Sequence, residues 1–66
     1  MVVYVIFNNE GEMIEICRDM RSALDWLWTE CDGEFTIKHN ENKNGESIIE
    51  SWTGEEYRLV KWYTYS

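Results

Sequence analysis

Only one stretch of this 66-residue chain has the period of a helix: residues 19–32, DMRSALDWLWTECD. With Leu24 set at zero on a wheel of ~100° per residue, Met20, Ala23, Leu24, Leu27, Trp28 and Cys31 fall on one stripe. That is the i, i+3, i+4, i+7 spacing of a helix with one buried face. Trp26 falls almost opposite, beside Ser22, Thr29 and Glu30. Asp19 is placed to cap the first turn, because its carboxylate accepts a backbone N–H that has no partner inside the helix. Gly33 follows the last apolar residue and suits a left-handed stop.

The rest of the chain reads as strands. Residues 2–8, VVYVIFN, are β-branched and aromatic, with apolar side chains on both faces. A turn at 8–11 leads to residues 12–17, EMIEIC, with Ile14 and Ile16 expected inward, completing a hairpin. After the helix come 35–39, FTIKH, with Phe35 and Ile37 on one side, and a polar loop, NENKNG, that ends in the strong Asn-Gly turn signal. Residues 46–52 form a fourth strand, Thr53-Gly54 turn the chain, and 56–65 form a long fifth strand that includes Tyr65. The order ββαβββ predicts one α+β domain over residues 1–66, an antiparallel sheet of about five strands with one helix on one face. No repeat, linker or low-complexity segment interrupts it.

This arrangement has a shortfall of cover. A helix of about 12 residues is only ~18 Å long. It can shelter one face of a few strands. Yet Val3, Val5 and Phe7 alternate with Val2, Tyr4 and Ile6, and Tyr57, Leu59, Tyr63 and Tyr65 alternate with Val60 and Trp62. Some of this apolar surface must be exposed, tucked into a curled sheet, or covered by another chain. Contiguous bare apolar patches above a few hundred Å² mark interaction sites.

Charge narrows the partners. Thirteen acids against six bases give a net charge of −7. That argues against direct binding to nucleic acid, which needs Lys and Arg to displace counterions, and against an anionic membrane surface. It favours a basic protein surface, such as a nucleic-acid channel; acidity for solubility alone is the plainer alternative. The helix ends also break the dipole rule. Arg18 and Arg21 sit at the N-terminus, and Glu30, Asp32 and Glu34 at the C-terminus, each misplacement costing ~0.3–1 kcal/mol. An Arg21–Asp25 pair offsets part of it. Exposed end charges are cheap, so the pattern alone does not decide the matter. A rule broken at both ends still points to acids that serve recognition.

Catalytic and metal signatures are missing from the sequence. His39 is the one histidine, and Cys17 and Cys31 stand 14 apart, so no zinc spacing is present. The glycines are isolated and form no phosphate loop. Glu55 and Glu56 are adjacent and point to opposite faces of a strand. The 40–46 loop resembles a calcium loop only faintly, with Lys43 inside it. The expectation is a non-enzyme with no cofactor and no metal. Lacking a signal-peptide pattern or a membrane-length apolar run, it is expected in the cytoplasm with reduced thiols.

The succession YVIF, a turn with GE, IEIC, a helix with SALDWL, a short strand and a closing YRLVKWY resembles small phage and mobile-element proteins of Gram-positive bacteria. The resemblance implies a stoichiometric anti-defence inhibitor of the anti-CRISPR or DNA-mimic kind and carries no residue roles with it. Taken with the charge, it gives an inhibitor that binds a basic nucleic-acid-handling host protein. The candidate aromatic anchors are Trp26, Trp52, Trp62, Tyr63 and Tyr65, and the acidic rim is Asp25, Glu30, Asp32 and Glu34. Trp and Tyr are the side chains that most often carry interface energy. The plainer reading, favoured for Trp52 and Trp62, puts both in the core and leaves Trp26 outside. Two alternatives remain: a homodimer through the second sheet face, and an oligomer that sequesters a nucleotide, which the acidic charge disfavours.

Overall fold

The computed structural model describes residues 1–64 except 42 and 44. Five strands and one helix follow in the order β1 (Val2–Asn8), β2 (Met13–Cys17), α1 (Met20–Glu30), β3 (Phe35–His39), β4 (Glu46–Ser51) and β5 (Glu56–Tyr63). The strands make one antiparallel sheet, β2-β1-β5-β4-β3, with the helix packed on one face. This is the ββαβββ, α+β arrangement that the sequence pattern predicts. The fifth strand stops at Tyr63, and Tyr65 lies outside the described residues, as does Asn44 of the expected Asn-Gly turn.

Local chemistry explains the joints. In the β1–β2 turn the Asn8 side-chain oxygen accepts from the N–H groups of Glu10 and Glu12, both at 2.9 Å. An Asn that ties its own backbone in this way stabilises a tight turn. Asp19 caps the helix as expected, accepting from the Ser22 N–H at 2.8 Å. That bond to the ionised carboxylate holds its pKa below the ordinary value. The first and last strands pair along their whole length, from Val2 opposite Tyr63 to Asn8 opposite Tyr57.

The core lies between the helix and the sheet. Ile6, Leu27 and Ile49 are fully buried, and Cys17, Ala23, Tyr57 and Leu59 join them. Each fully buried aliphatic side chain contributes ~1.5–3 kcal/mol before the ordering entropy is counted. Both thiols are free; Cys17 is within this cluster and Cys31 packs against it.

Three expectations about side-chain direction are overturned. First, the buried face of the helix turns from the expected stripe towards Trp26 and away from Trp28. Trp26 packs on the core, with its ring edge-on to Tyr57 at 5.9 Å, while Trp28 and Met20 are exposed. Either tryptophan completes an apolar stripe, and the sheet decides which one is used. Tyr57 offers a ring to Trp26, whereas Trp28 lies over Gly33 and meets Phe35 edge-on at 6.5 Å. Second, Ile14 and Ile16 are exposed, and Cys17 points inward opposite Tyr4. A register shift opposite Ile6 and Phe7 breaks the alternation of β2. Third, Trp52 and Trp62 are not in the core. Trp52 falls in the turn after β4, and Trp62 is on the face the helix leaves bare. Nor is there an Arg21–Asp25 ion pair among the described residues.

Candidate functional site

The antiparallel path sorts the turns to the two ends of the strands. The β1–β2, α1–β3 and β4–β5 connections share one end, since Asn8 pairs with Tyr57 and Phe35 with Ser51. These connections read NEGE, CDGE and WTGE, and none contains a Lys or Arg. Glu10, Glu12, Asp32, Glu34 and Glu55 therefore gather there, with Glu30, Glu50 and Glu56 on the adjoining elements. The C-terminus of α1 points to the same end and adds the negative pole of its dipole. Arg18, Arg21, Lys43 and Lys61 lie towards the opposite end, while Lys38 stands beside Ile48, level with Arg58 and two residues from the rung of Glu50 and Glu56. The remaining base, Arg58, is engaged on the sheet. Its guanidinium sits over the Phe7 ring at 5.9 Å and 3.6 Å from the buried Glu46 carboxylate, which Lys43 also approaches at 3.9 Å.

The acidic end is tied down by its backbone. The Trp52 N–H donates to the Glu34 carbonyl at 3.0 Å, linking the α1–β3 turn to the β4–β5 turn. The second turn is closed by Ser51, whose N–H donates to the Glu55 carbonyl at 2.8 Å and whose hydroxyl accepts from the Glu55 N–H at 3.0 Å. The Tyr57 hydroxyl donates to the Glu55 carboxylate at 2.7 Å. That bond, with burial, raises the tyrosine pKa well above its ordinary value. Burial also raises the Cys31 thiol, and Glu55, Glu30 and Asp32 add to the shift, so the acids' field reaches the core's edge.

Two tryptophans stand on this tied platform. Trp52 is 71% exposed and Trp28 is 64% exposed. Gly33, at φ +72°, has no side chain where a Cβ would come 2.8 Å from Trp28 Cζ2, which is what lets the indole lie over the turn. Large, rigid aromatic side chains ringed by polar groups are the type that anchors protein interfaces.

The constellation expected from the sequence is split by the fold. Glu30, Asp32 and Glu34 are exposed and together at the acidic end, while Asp25 is exposed in mid-helix. Trp26 packs on the core instead of offering an anchor. Trp62 and Tyr63 are exposed at the far end of β5, ~20 Å from Glu56 at ~3.3 Å per residue. Tyr63 there lies under the Lys61 ammonium at 5.7 Å. Tyr65 lies outside the described residues. The exposed aromatics that do accompany the acids are Trp52, one of the candidate anchors although a core position is favoured for it, and Trp28, which helical periodicity puts on the buried stripe. The Gly-Glu steps at 11–12, 33–34 and 54–55 are the signal that could have gathered the acids, because each marks a turn bearing a carboxylate.

A second surface lies on the uncovered sheet face. Val3, Val5, Phe7, Met13, Ile16, Trp62 and Thr64 line an apolar trough of about 370 Å³. Val5 is its buried floor, while Met13, Ile16 and Trp62 stay more than half exposed at its rims. Val5, between Ile16 and Val60 in the sheet, is hidden, and the side chains at the rims are not.

Among the described residues, no group of His, Cys, Asp and Glu is arranged to hold a metal ion, and no helix is long and apolar enough to cross a membrane. Comparison of the chain with family models, curated proteins and solved structures gives no match.

Proposed function

We propose that this chain is a non-enzymatic inhibitor of the phage anti-defence type that acts in the host cytoplasm by occupying a basic, nucleic-acid-handling protein. The acidic end is the docking surface in this reading. Carboxylates there stand where a groove for nucleic acid expects phosphates, and Trp28 and Trp52 supply the anchoring contacts. The observation that carries the reading is the segregation of charge: three turns rich in acids, without one base, on a backbone platform held by the Trp52–Glu34 and Ser51–Glu55 hydrogen bonds. Folding alone gives no reason for it. Glu50 and Glu56 face each other across the β4–β5 ladder, where like charges destabilise, and the helix ends against its dipole.

The test is capture of a partner from a host lysate on immobilised chain, followed by elution with DNA and, separately, with salt. A groove binder is displaced by both. Retention of the partner in the presence of DNA and high salt would rule out an acidic end acting in place of nucleic acid.

A further inference from the structure

We infer that the cavity beside Arg58 is a binding site for a small monoanionic acid with a flat apolar body, such as an aromatic carboxylate.

The cavity holds about 460 Å³, within the roughly 300–1,000 Å³ of small-molecule pockets. Phe7, Val60 and Trp62 give it apolar walls, and Lys43, Glu46 and Arg58 give it polar ones. The register explains why they meet. Phe7 pairs with Arg58 across β1 and β5, and Val60 pairs with Glu46 across β5 and β4. Alternation puts Trp62, two residues past Val60, on the same face.

Glu46 is the feature that folding alone does not ask for. It is only 5% exposed, and taking a carboxylate out of water is costly unless cations meet it. Its place in the cavity wall holds Arg58. The Arg58 guanidinium lies over the Phe7 ring at 5.9 Å, with Nη1 3.6 Å from Glu46 Oε1. Ring and carboxylate together fix the plane of the fork. At 3.6 Å the ion pair is too long for a hydrogen bond, so the fork keeps donors for a ligand. On the other side, Gly11 puts no side chain beside Nη2, where a Cβ would come to 3.8 Å. Arg58 is thus set in position and open to the cavity.

Charge and shape select the ligand. Arg58 and Lys43 oppose the single negative charge of Glu46, so one further negative charge balances the lining. Glu50 and Glu56 form the next rung beyond Arg58 on this face, which disfavours a second. The planar fork matches the two oxygens of a carboxylate. Trp62, 51% exposed, offers aromatic surface to a flat body.

Titration of the ¹⁵N-labelled full chain with naphthoate at fixed ionic strength tests this, read from amide and indole N–H shifts. The expected result is saturable shifts centred on Phe7, Lys43, Arg58 and the Trp62 indole. Naphthalenemethanol, which has the same flat body and no charge, should bind at least about tenfold more weakly. Arg58→Lys keeps the charge without the fork and should weaken naphthoate by a similar factor. Trp62→Ala and Lys43→Met, both at exposed positions, should each lower naphthoate affinity severalfold, with circular dichroism confirming the fold; they decide the matter if Arg58→Lys disturbs folding. The absence of saturable shifts up to the millimolar range overturns the inference. So do equal affinities for the acid and the alcohol, tighter binding of a nucleoside monophosphate than of naphthoate, or shifts centred on Arg18 and Arg21.

Discussion

At the acidic end, like charges are concentrated and the turns are held by backbone hydrogen bonds. On the open face, charge is neutralised in the Arg58–Glu46 pair and apolar side chains stand half bare. Both regions are built from the same strands, yet they act over different distances. A field from clustered carboxylates reaches about a Debye length and fades with salt. An apolar trough acts only on contact, in proportion to the area removed from water. So the acidic end fits capture of an oppositely charged partner, and the face fits lasting contact with a matched surface. The two can be separated by salt and by substitution.

Trp26→Ala should have the largest effect on stability. It removes the ring packed on Tyr57 and the core, at ~2–4 kcal/mol, somewhat less than full burial would give. The same change at Trp52 should alter the chemical-denaturation midpoint by no more than ~0.5 kcal/mol, as at other exposed sites. If the two lose equal stability, Trp52 is structural and the acidic end has lost one anchor. Gly33→Ala should cost ~1–2 kcal/mol, because φ +72° is unfavourable for alanine and its methyl meets Trp28. It should also shift Trp28 fluorescence, which tests whether turn and indole form one platform.

Two smaller effects mark the acidic end and the helix start. Tyr57→Phe should cost about 1 kcal/mol at neutral pH by removing the bond to Glu55. Because the folded state raises the Tyr57 pKa, its contribution is complete below the ordinary tyrosine value near ~10 and declines as pH rises above it. The wild-type denaturation midpoint should therefore fall in alkali more steeply than that of the phenylalanine variant. Asp19→Ala should lower the denaturation midpoint through loss of the cap. The wild-type advantage should vanish as pH falls through the lowered Asp19 pKa, since a protonated carboxyl gives up the charge-assisted part of that bond.

Much of the fold could be read from the sequence because its signals are local. β-branched runs, turn glycines and the Asp19 cap each act within a few residues, and the strand bounds Val2–Asn8 and Phe35–His39 come out as expected. The phase of the helix could not be read in this way. Trp26 and Trp28 serve an amphipathic stripe equally well, and the choice rests on Tyr57, some thirty residues away. Ile14 and Ile16 mislead for a similar reason, since pairing with β1 sets Cys17 opposite Tyr4 and Ile16 opposite Val5, and the register shift falls at Ile14. The shortage of cover was legible as a matter of area, and the trough of Val3, Val5, Phe7, Ile16 and Trp62 is where it falls. The acids of the site were half legible. Glu30, Asp32 and Glu34 stood out against the helix dipole, while Glu10, Glu12, Glu55 and Glu56 joined them only once antiparallel pairing brought three turns to one end.

The central claim is that the acidic end docks a basic partner. Its most direct measurement is the salt dependence of affinity for the captured partner, compared between wild type and a chain carrying Glu30→Lys, Asp32→Asn and Glu34→Lys, all exposed positions. The account predicts that wild-type affinity falls steeply as salt rises, and that the substituted chain binds weakly at every salt concentration with a nearly flat slope. Equal affinity and equal slope for the two chains would contradict it.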